Sequence, residues 1–373
     1  MITPSSVLTL ALRTNEIGTP TQQYSLMLTA GWGVVIAGTI AFGRMSDRLQ
    51  GQAALLRTAL VVCAAAAVTL NFALAQTFST SLLAGLWVVL QIPVAAIVAI
   101  AMKVASQVQQ DGMLSRTSGY VGAMPPLTVL AGSVIVQSLD TTVRGFQVPA
   151  IIALLLLLPL LLGHLQSPAA GATTVEGMGS HNDTSWRRFL SAEFLTACTT
   201  AAVTSYLVPY AAYVVRTRES ELASSTSAAL AVASLLSAFG SLLLGRKLRS
   251  IHRNISGYIV GAGLMTVGVA GILIAPSTLS LFIGGALIGF GFGYVNSTEF
   301  ALTVQLNPDD GRAGERLGVM TSVTTIPYVA VPAVSSVLLT SGQRPGLILI
   351  FAFAGFASLA AMFIMVSLRR VRQ

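Results

Sequence analysis

Charge is the property that this sequence has least of. Asp, Glu, Lys and Arg make up 9% of its 373 residues, whereas a soluble globular protein has about 25%. A water-facing surface cannot be built from so few charges, so a soluble globular protein is excluded. The formal net charge is +8, but in such an apolar chain the positions of the charges matter more than their sum. We therefore expect no nucleic-acid partner.

Cysteine and histidine are scarce too. Both cysteines, Cys63 and Cys198, lie inside apolar runs, which excludes a disulfide framework and predicts two small buried residues. The three histidines are scattered over loops, so they lack the spacing of metal ligands. No phosphate-binding loop and no nucleophile–base pair stands out. We predict no cofactor, no metal site and no enzymatic activity.

Long apolar runs recur along the whole chain. About 20 apolar residues are needed to cross the roughly 30 Å core of a bilayer. Membrane barrels have short alternating segments instead, so a sheet is disfavoured. The sequence predicts an all-α polytopic membrane protein with about eleven full spans. They cover residues 24–43, 55–74, 82–105, 117–139, 148–162, 189–215, 225–245, 258–274, 279–306, 316–339 and 346–368.

The first twelve residues, MITPSSVLTLAL, are too short to span a membrane. They also lack the basic start of a signal peptide. This stretch looks like the last half of a helix whose beginning is absent. We expect a misplaced start codon rather than a carrier with eleven spans.

The basic residues predict the orientation. With the C-terminus in the cytoplasm, 16 of the 21 Lys and Arg residues fall inside and 5 fall outside. Cytoplasmic loops of membrane proteins carry an excess of Lys and Arg. We therefore predict a multi-pass protein of the plasma membrane, in contact with lipid and with a cytoplasmic C-terminus.

A polar segment divides the spans into two groups. Residues 164–188 are rich in small and polar residues, which is typical of a flexible linker. The predicted domains are an N-terminal bundle, 1–163, and a C-terminal bundle, 189–373. A weak repeat relates them, because Gly-Arg-Met-Ser-Asp-Arg and Gly-Arg-Lys-Leu-Arg each end the second span of their half. Such repeats are common in membrane carriers.

The motif Gly43-x-x-x-Asp47-Arg48 resembles the signature loop of the major facilitator superfamily. Finer matches resemble its branch of sucrose–proton symporters and related sugar carriers. These are Trp87-Val-Val-Leu-Gln91, Ser115-Arg-Thr-Ser-Gly119, Gly314-Glu-Arg-Leu-Gly318 with Pro327, and Glu299-Phe-Ala-Leu302.

This resemblance implies a secondary transporter with two six-helix halves that alternate access to a central site. It also implies that Gly43, Asp47 and Arg48 form a cytoplasmic gate, for which a solvated turn pair is the alternative. Three features depart from the family, and the first is the mostly missing first span described above. The usual basic tail after Arg48 is reduced to Arg57, and the fourth span lacks the arginine that is usual in drug–proton antiporters.

Glu299 is the first candidate for chemistry. An ionisable residue at membrane depth is costly and by default faces the bundle interior or a wet cavity. Helical spacing places Asn296, Glu299 and Thr303 on one stripe. A carboxyl group held away from water binds a proton more readily, as a proton-coupled carrier requires. Alternatively, Glu299 lies at the cytoplasmic interface, solvated or paired with a loop arginine.

Glu193 is the second candidate. It shares a stripe of its span with Thr196, Thr200 and Thr204, and the resemblance implies that this span and that of Glu299 both face the cavity. Two carboxylates on one side of a cavity raise each other's affinity for a proton. The alternative is an acid near a helix N-terminus that pairs with Arg187 or Arg188.

Aromatic and amide side chains predict the substrate site. Trp87 and Gln91 lie one turn apart, as do Tyr206 and Tyr210. Aromatic rings with a few hydrogen-bonding groups suit a mostly apolar pocket for a sugar or another small polar molecule. Together with Asn296 they are the predicted substrate-binding residues. The alternative is the aromatic belt of a membrane interface.

The leading hypothesis is a monomeric, proton-coupled transporter of a small polar organic solute, with sugars as one candidate class. One alternative is an efflux carrier for drugs or metabolites in the same superfamily. Another is a truncated, non-transporting membrane protein. A membrane-embedded enzyme would require a catalytic cluster, and the sequence offers two carboxylates.

Overall fold

The structure, a computed structural model, describes residues 2–48, 53–76, 79–107, 123, 126–127, 129–130, 183–245, 250–306, 319–320 and 322–371. All regular elements in those residues are helices. They are α1 (Ile2–Glu16), α2 (Thr21–Arg48), α3 (Ala53–Ala75), α4 (Thr80–Gln107), α5 (Asp183–Tyr210), α6 (Glu219–Gly245), α7 (Ile251–Ile274), α8 (Thr278–Gln305), α9 (Pro327–Leu338) and α10 (Gln343–Val371). A π-helical turn, Ala211–Val215, continues α5, and a 3₁₀ turn, Leu339–Ser341, follows α9.

The helices are those of a membrane protein, as predicted. Within the described residues, six segments are long and apolar enough to cross a bilayer. They are Thr184–Val215, Glu219–Leu244, Ile251–Ile274, Thr278–Thr303, Ser322–Ser341 and Gln343–Arg370. The predicted spans 117–139 and 148–162 lie outside the described residues, apart from a few positions of the former.

Several helices extend further than the sequence predicted. Helix α1 continues beyond residue 12 to Glu16, and α2 continues through the predicted turn to Arg48. Helix α5 begins at Asp183, inside the stretch predicted as linker, and α7 begins at Ile251, well before the predicted span. Helices of membrane proteins continue past the apolar core, so a hydropathy window marks the span and not the helix end.

Local sequence explains several helix ends. Ser250 caps α7 by accepting a hydrogen bond from the Arg253 backbone. Ser277 and Ser280 form a reciprocal capping box at the start of α8, which satisfies backbone N–H groups that a helix start leaves free. Pro209 lies near the end of α5, and because proline has no N–H to donate, the regular ladder gives way there to the π-helical turn.

Glycines of α8 let it pack against α6 and α7 at close range. A Cβ atom added at Gly289 or Gly293 would collide with the α6 backbone at Ala233 or Ser237. On another face, a Cβ at Gly291 would collide with the carbonyl of Gly261 in α7. Gly289 and Gly293 lie one turn apart, which is the small-residue spacing that allows membrane helices to approach closely.

The two halves of the chain meet at one end of the bundle. The Tyr24 hydroxyl of α2 donates to the Ser205 carbonyl of α5 at 3.0 Å, and the Tyr206 hydroxyl of α5 donates to Ser25 Oγ of α2 at 2.7 Å. Thr21 Oγ1 donates to Gln343 Oε1 of α10 at 2.9 Å. We call these residues the outer seam, since the predicted orientation places this end outside. Helix α9 also packs on α2, which continues the contact between halves towards the membrane centre.

Candidate functional site

Glu193 is a buried carboxylate within the C-terminal half. It lies about 15 Å along α5 from Asp183, at 1.5 Å per residue, and 2% of its surface is exposed. Its Oε1 atom has no hydrogen-bond partner among the described atoms. Because α5 begins at Asp183, Glu193 lies nearly three turns inside the helix. The alternative of an acid at a helix N-terminus therefore does not describe its position.

Glu299 lies on α8, within electrostatic range of Glu193. Glu299 is half-buried. Its carboxylate also lies within electrostatic range of the hydroxyl groups of Tyr258 and Tyr328. The two carboxylates from α5 and α8 therefore share one region of the bundle. In the described part of the chain, the charged group that acts on Glu193 is Glu299, which carries the same sign.

Tyr258 of α7 joins this pair. Its side chain is fully buried, and its Oη lies 2.8 Å from Thr196 Oγ1. Thr196 is one turn from Glu193 on α5, so it lies on the same helix face. Sequence reasoning missed Tyr258, because hydropathy placed it at the edge of a span, whereas α7 extends about two turns before it.

Trp32 and Tyr328 connect the carboxylates to the other half. The Trp32 ring of α2 and the Tyr328 ring of α9 have centroids 4.7 Å apart, and Tyr328 lies within electrostatic range of Glu299. The Trp32 Nε1 atom is buried without a hydrogen-bond partner among the described atoms. No sequence pattern pointed to this pair, since each residue is a single aromatic in an apolar run.

Trp87 and Gln91 were predicted to bind substrate, and both are buried in α4 against α2. Their exposed fractions are 0% and 1%, and the Gln91 amide donates to the Trp87 carbonyl at 3.4 Å. A Cβ at Gly31 of α2 would collide with the Trp87 indole. Trp87 Nε1 and Gln91 Oε1 have no hydrogen-bond partner among the described atoms, and their substrate-binding role stays a prediction.

Tyr206 and Tyr210, two further predicted substrate residues, are engaged within the protein in this conformation. Both are fully buried. Tyr206 belongs to the outer seam, and the Tyr210 hydroxyl donates to the Ile272 carbonyl of α7 at 3.2 Å. Asn296, the remaining predicted substrate residue, is half-buried on α8. The structure thus separates Tyr206 and Tyr210 from the carboxylates, and it places Asn296 on the helix of Glu299.

The predicted gate lies at the end of α2. Gly43, Asp47 and Arg48 belong to its last turns, but their side chains lie outside the described part of the structure, so the gating role stays a prediction. Among the described residues, no three His, Cys, Asp or Glu side chains are grouped to hold a metal ion. The functional groups that the described structure brings together are therefore two carboxylates, tyrosine hydroxyls and aromatic rings.

Comparison with known proteins gives the chain a family. The family model of the Major Facilitator Superfamily matches residues 2–314. Among solved structures, the human organic anion transporter MFSD10 (TETRAN) is similar with a TM-score of 0.66 and 15% sequence identity, over 95% of this chain and 88% of that one. At this identity the likeness concerns the fold. No curated protein matches the sequence.

Proposed function

The chain belongs to the major facilitator superfamily and is a multi-pass secondary transporter of a small molecule; from that premise, we propose that it couples a small polar solute to protons. Glu193 and Glu299 are the proposed proton carriers. The observation that supports this most is the buried Glu193 oxygen without a hydrogen-bond partner in the described structure. A buried carboxylate is stable when it is paired or protonated.

Like charge within the pair is the second support. Two carboxylates in a region of low dielectric constant repel each other, so the pair holds one proton more tightly than an isolated acid does. The half-buried Glu299 is the better placed of the two to exchange that proton with water. We propose that it passes the proton to and from the more buried Glu193.

The proposed substrate is a small polar solute without negative charge, with sugars as the leading class. The site combines two carboxylates with the Trp32 and Tyr328 rings. Rings pack on the apolar faces of a sugar, while amide and carboxylate oxygens accept its hydroxyl hydrogens. The similar human structure is titled an organic anion transporter, but carboxylates repel an anion, so we do not extend that substrate class to this chain.

Efflux of a cationic drug or metabolite is the second candidate. It is favoured by the same negative pair, because a carboxylate attracts an organic cation and an aromatic face binds one by a cation–π contact. Exchange of a cation for a proton on Glu193 or Glu299 would give an antiporter. The two candidates differ in whether the solute moves with the proton or against it.

The two halves would alternate access by a rocking motion about the central site. The outer seam joins α2 to α5 and α10, so in this conformation the outer end is held together. We further propose that the protein acts as a monomer in the plasma membrane, with its C-terminus in the cytoplasm. Asp47 and Arg48 would then hold the opposite end together when the outer seam opens.

Transport by reconstituted vesicles tests this proposal. The full chain, with Glu193→Gln and Glu299→Gln variants, would be assayed for uptake of labelled sugars and of organic cations under imposed pH gradients. We expect solute to accumulate with the gradient, and each variant to lose accumulation while it keeps solute exchange. Glu221→Gln is the matched control, since that acid is exposed at the start of α6. Accumulation that ignores the pH gradient would refute proton coupling.

A further inference from the structure

We propose that Tyr258, through its hydrogen bond with Thr196, is a positioning residue that sets the proton occupancy of Glu193. This inference rests on the proposed proton coupling and adds a residue from α7, a helix that carries neither carboxylate. It stands on the geometry of three residues, Tyr258, Thr196 and Glu193. Its basis is that each of the two hydroxyl groups has one hydrogen to donate.

The Thr196 hydroxyl has more neighbours than hydrogens. Its Oγ1 lies 3.1 Å from the Ala192 carbonyl oxygen, 3.0 Å from the Glu193 carbonyl oxygen and 2.8 Å from the Tyr258 hydroxyl. The two carbonyls can only accept, whereas a hydroxyl can donate one hydrogen and accept others. Thr196 therefore donates either to its own helix backbone or to Tyr258.

These alternatives give two hydrogen-bond arrangements. When Thr196 donates to the backbone, Tyr258 donates to Thr196 and its oxygen is left as an acceptor. When Thr196 donates to Tyr258, the Tyr258 hydrogen is released to donate elsewhere. The two arrangements differ only by rotation of hydroxyl groups, so no O–H bond of Tyr258 or Thr196 is broken.

The carboxyl group of Glu193 selects between these arrangements. Glu193 and Thr196 lie one turn apart on the same face of α5, and Glu193 is within electrostatic range of the Tyr258 hydroxyl. An ionised Glu193 accepts a hydrogen bond from Tyr258, which favours donation by Thr196 to Tyr258. A protonated Glu193 donates to the Tyr258 oxygen, which favours the other arrangement. The Glu193 Oε1 atom is buried and has no partner in the described structure, so it is the acceptor that we propose for the Tyr258 hydrogen.

Among the described residues, the charged group that acts on Glu193 is Glu299, which has the same sign. Glu299 of α8 acts on both Glu193 and Tyr258, and Tyr328 of α9 lies beside Glu299. The remaining charged residues of α5 and of the elements that contact it lie near helix ends: Asp183, Arg187 and Arg188 on α5, Arg13 and Glu16 on α1, Arg44, Asp47 and Arg48 on α2, Glu219 and Glu221 on α6, His252 and Arg253 on α7, and Arg344, Arg369 and Arg370 on α10. Within the described part of the bundle, the Tyr258 hydroxyl is thus the donor that we propose stabilises an ionised Glu193.

The test is the pH profile of proton-driven uptake in reconstituted vesicles. We expect Tyr258→Phe to move the midpoint of the profile to higher pH by about one unit, because a hydrogen bond to a charged group is lost. Thr196→Val should move it in the same direction by a smaller amount, and Thr196→Ser should restore the original midpoint. Tyr294→Phe is the matched control, since it removes a hydroxyl from α8 beside Phe290 rather than from the proton site.

Solute exchange without a gradient, measured on the same vesicles, shows whether each variant is folded. If uptake by Tyr258→Phe and Thr196→Val falls equally at every pH, with an unchanged midpoint, the role is structural and the inference is wrong. If Tyr258→Phe loses exchange as well, the Thr196→Val variant tests the inference. A midpoint at higher pH supports the inference, and an unchanged midpoint refutes it. If Glu193→Gln keeps its pH-driven accumulation, the proposed function itself fails, which is a distinct result.

Discussion

At the scale of single residues, the two carboxylates differ in environment. Glu193 is 2% exposed and has an oxygen without a partner in the described structure, whereas Glu299 is half-buried. Burying a charge without a partner is costly, so Glu193 is retained at the expense of stability. That cost points to a requirement for the ionisable group rather than for packing.

A stability measurement shows whether Glu193 is needed for its ionisable group or for its packing. We expect Glu193→Gln to raise the free energy of unfolding by about 1–3 kcal/mol, because a neutral amide costs less to bury than a carboxylate whose oxygen has no partner. Thermal unfolding in detergent at pH 8 measures this effect. Glu299→Gln should change stability less, since that side chain is half-buried rather than fully buried. A lower melting temperature for Glu193→Gln would show that the carboxylate stabilises the fold.

Trp32 is the residue whose position suits it best to sense the substrate. Its ring contacts Tyr328 across the two halves, and its Nε1 has no partner in the described structure. We expect Trp32→Phe to weaken solute binding by roughly 10-fold, because a smaller aromatic ring replaces the indole and its N–H donor is lost. Binding to the detergent-purified protein measures this loss. Unchanged affinity would place the solute elsewhere.

At the scale of elements, the glycines of α8 decide how closely three helices pack. Gly289 and Gly293 face the α6 backbone, and Gly291 faces α7. Helices in a bilayer gain little from burying apolar surface, so close van der Waals contact contributes much of their association. The carboxylate of Glu299 is therefore positioned by a helix whose two neighbours are fixed by small residues.

Adding one methyl group at this contact tests the packing. We expect Gly289→Ala to destabilise the protein by about 1–3 kcal/mol, because its Cβ overlaps backbone atoms of Ala233 that cannot rotate away. Gly271→Ala is the matched control on α7, since its Cβ would have no neighbour within 4 Å. Thermal unfolding compares the two. Equal melting temperatures would show that α6 and α8 separate without cost.

At the scale of the whole molecule, the outer seam joins the two halves of the chain, which the proposed rocking motion would move relative to each other. Tyr24 and Tyr206 each reach from one half into the other, and Trp32 and Tyr328 make the next contact along the same interface. A protonation change at Glu299 acts on Tyr328. The interface between halves therefore includes a residue that is sensitive to the proposed proton site.

Loosening the outer seam should shift the conformational equilibrium. We expect Tyr24→Phe with Tyr206→Phe to favour the outward-open state by roughly 10-fold, since each interbundle hydrogen bond contributes about 0.5–1.5 kcal/mol. Distances between spin labels at Gln22 and Thr340, in a chain with both cysteines replaced, measure the opening. Tyr210→Phe is the matched control, because its hydroxyl bonds within the C-terminal half. An unchanged distance distribution would show that the seam does not hold this end closed.

The sequence by itself determined the helical membrane fold, the glycine contact surface and the family, because hydropathy and small-residue spacing are written directly in residue order. It also singled out Glu193 and Glu299, since a carboxylate in an apolar run is visible without a structure. The sugar-carrier branch stays a prediction, as does the gate at Asp47.

Only the tertiary structure decided which residues surround the carboxylates. Tyr258 and Tyr328 come from helices distant in sequence, and helical periodicity gives the face of a residue but not the neighbour that covers it. The same reason explains Tyr206, which shares a stripe with Tyr210 yet bonds to the opposite half while Tyr210 bonds within its own. Contacts between helices depend on how the bundles pack, and that packing is a property of the folded chain.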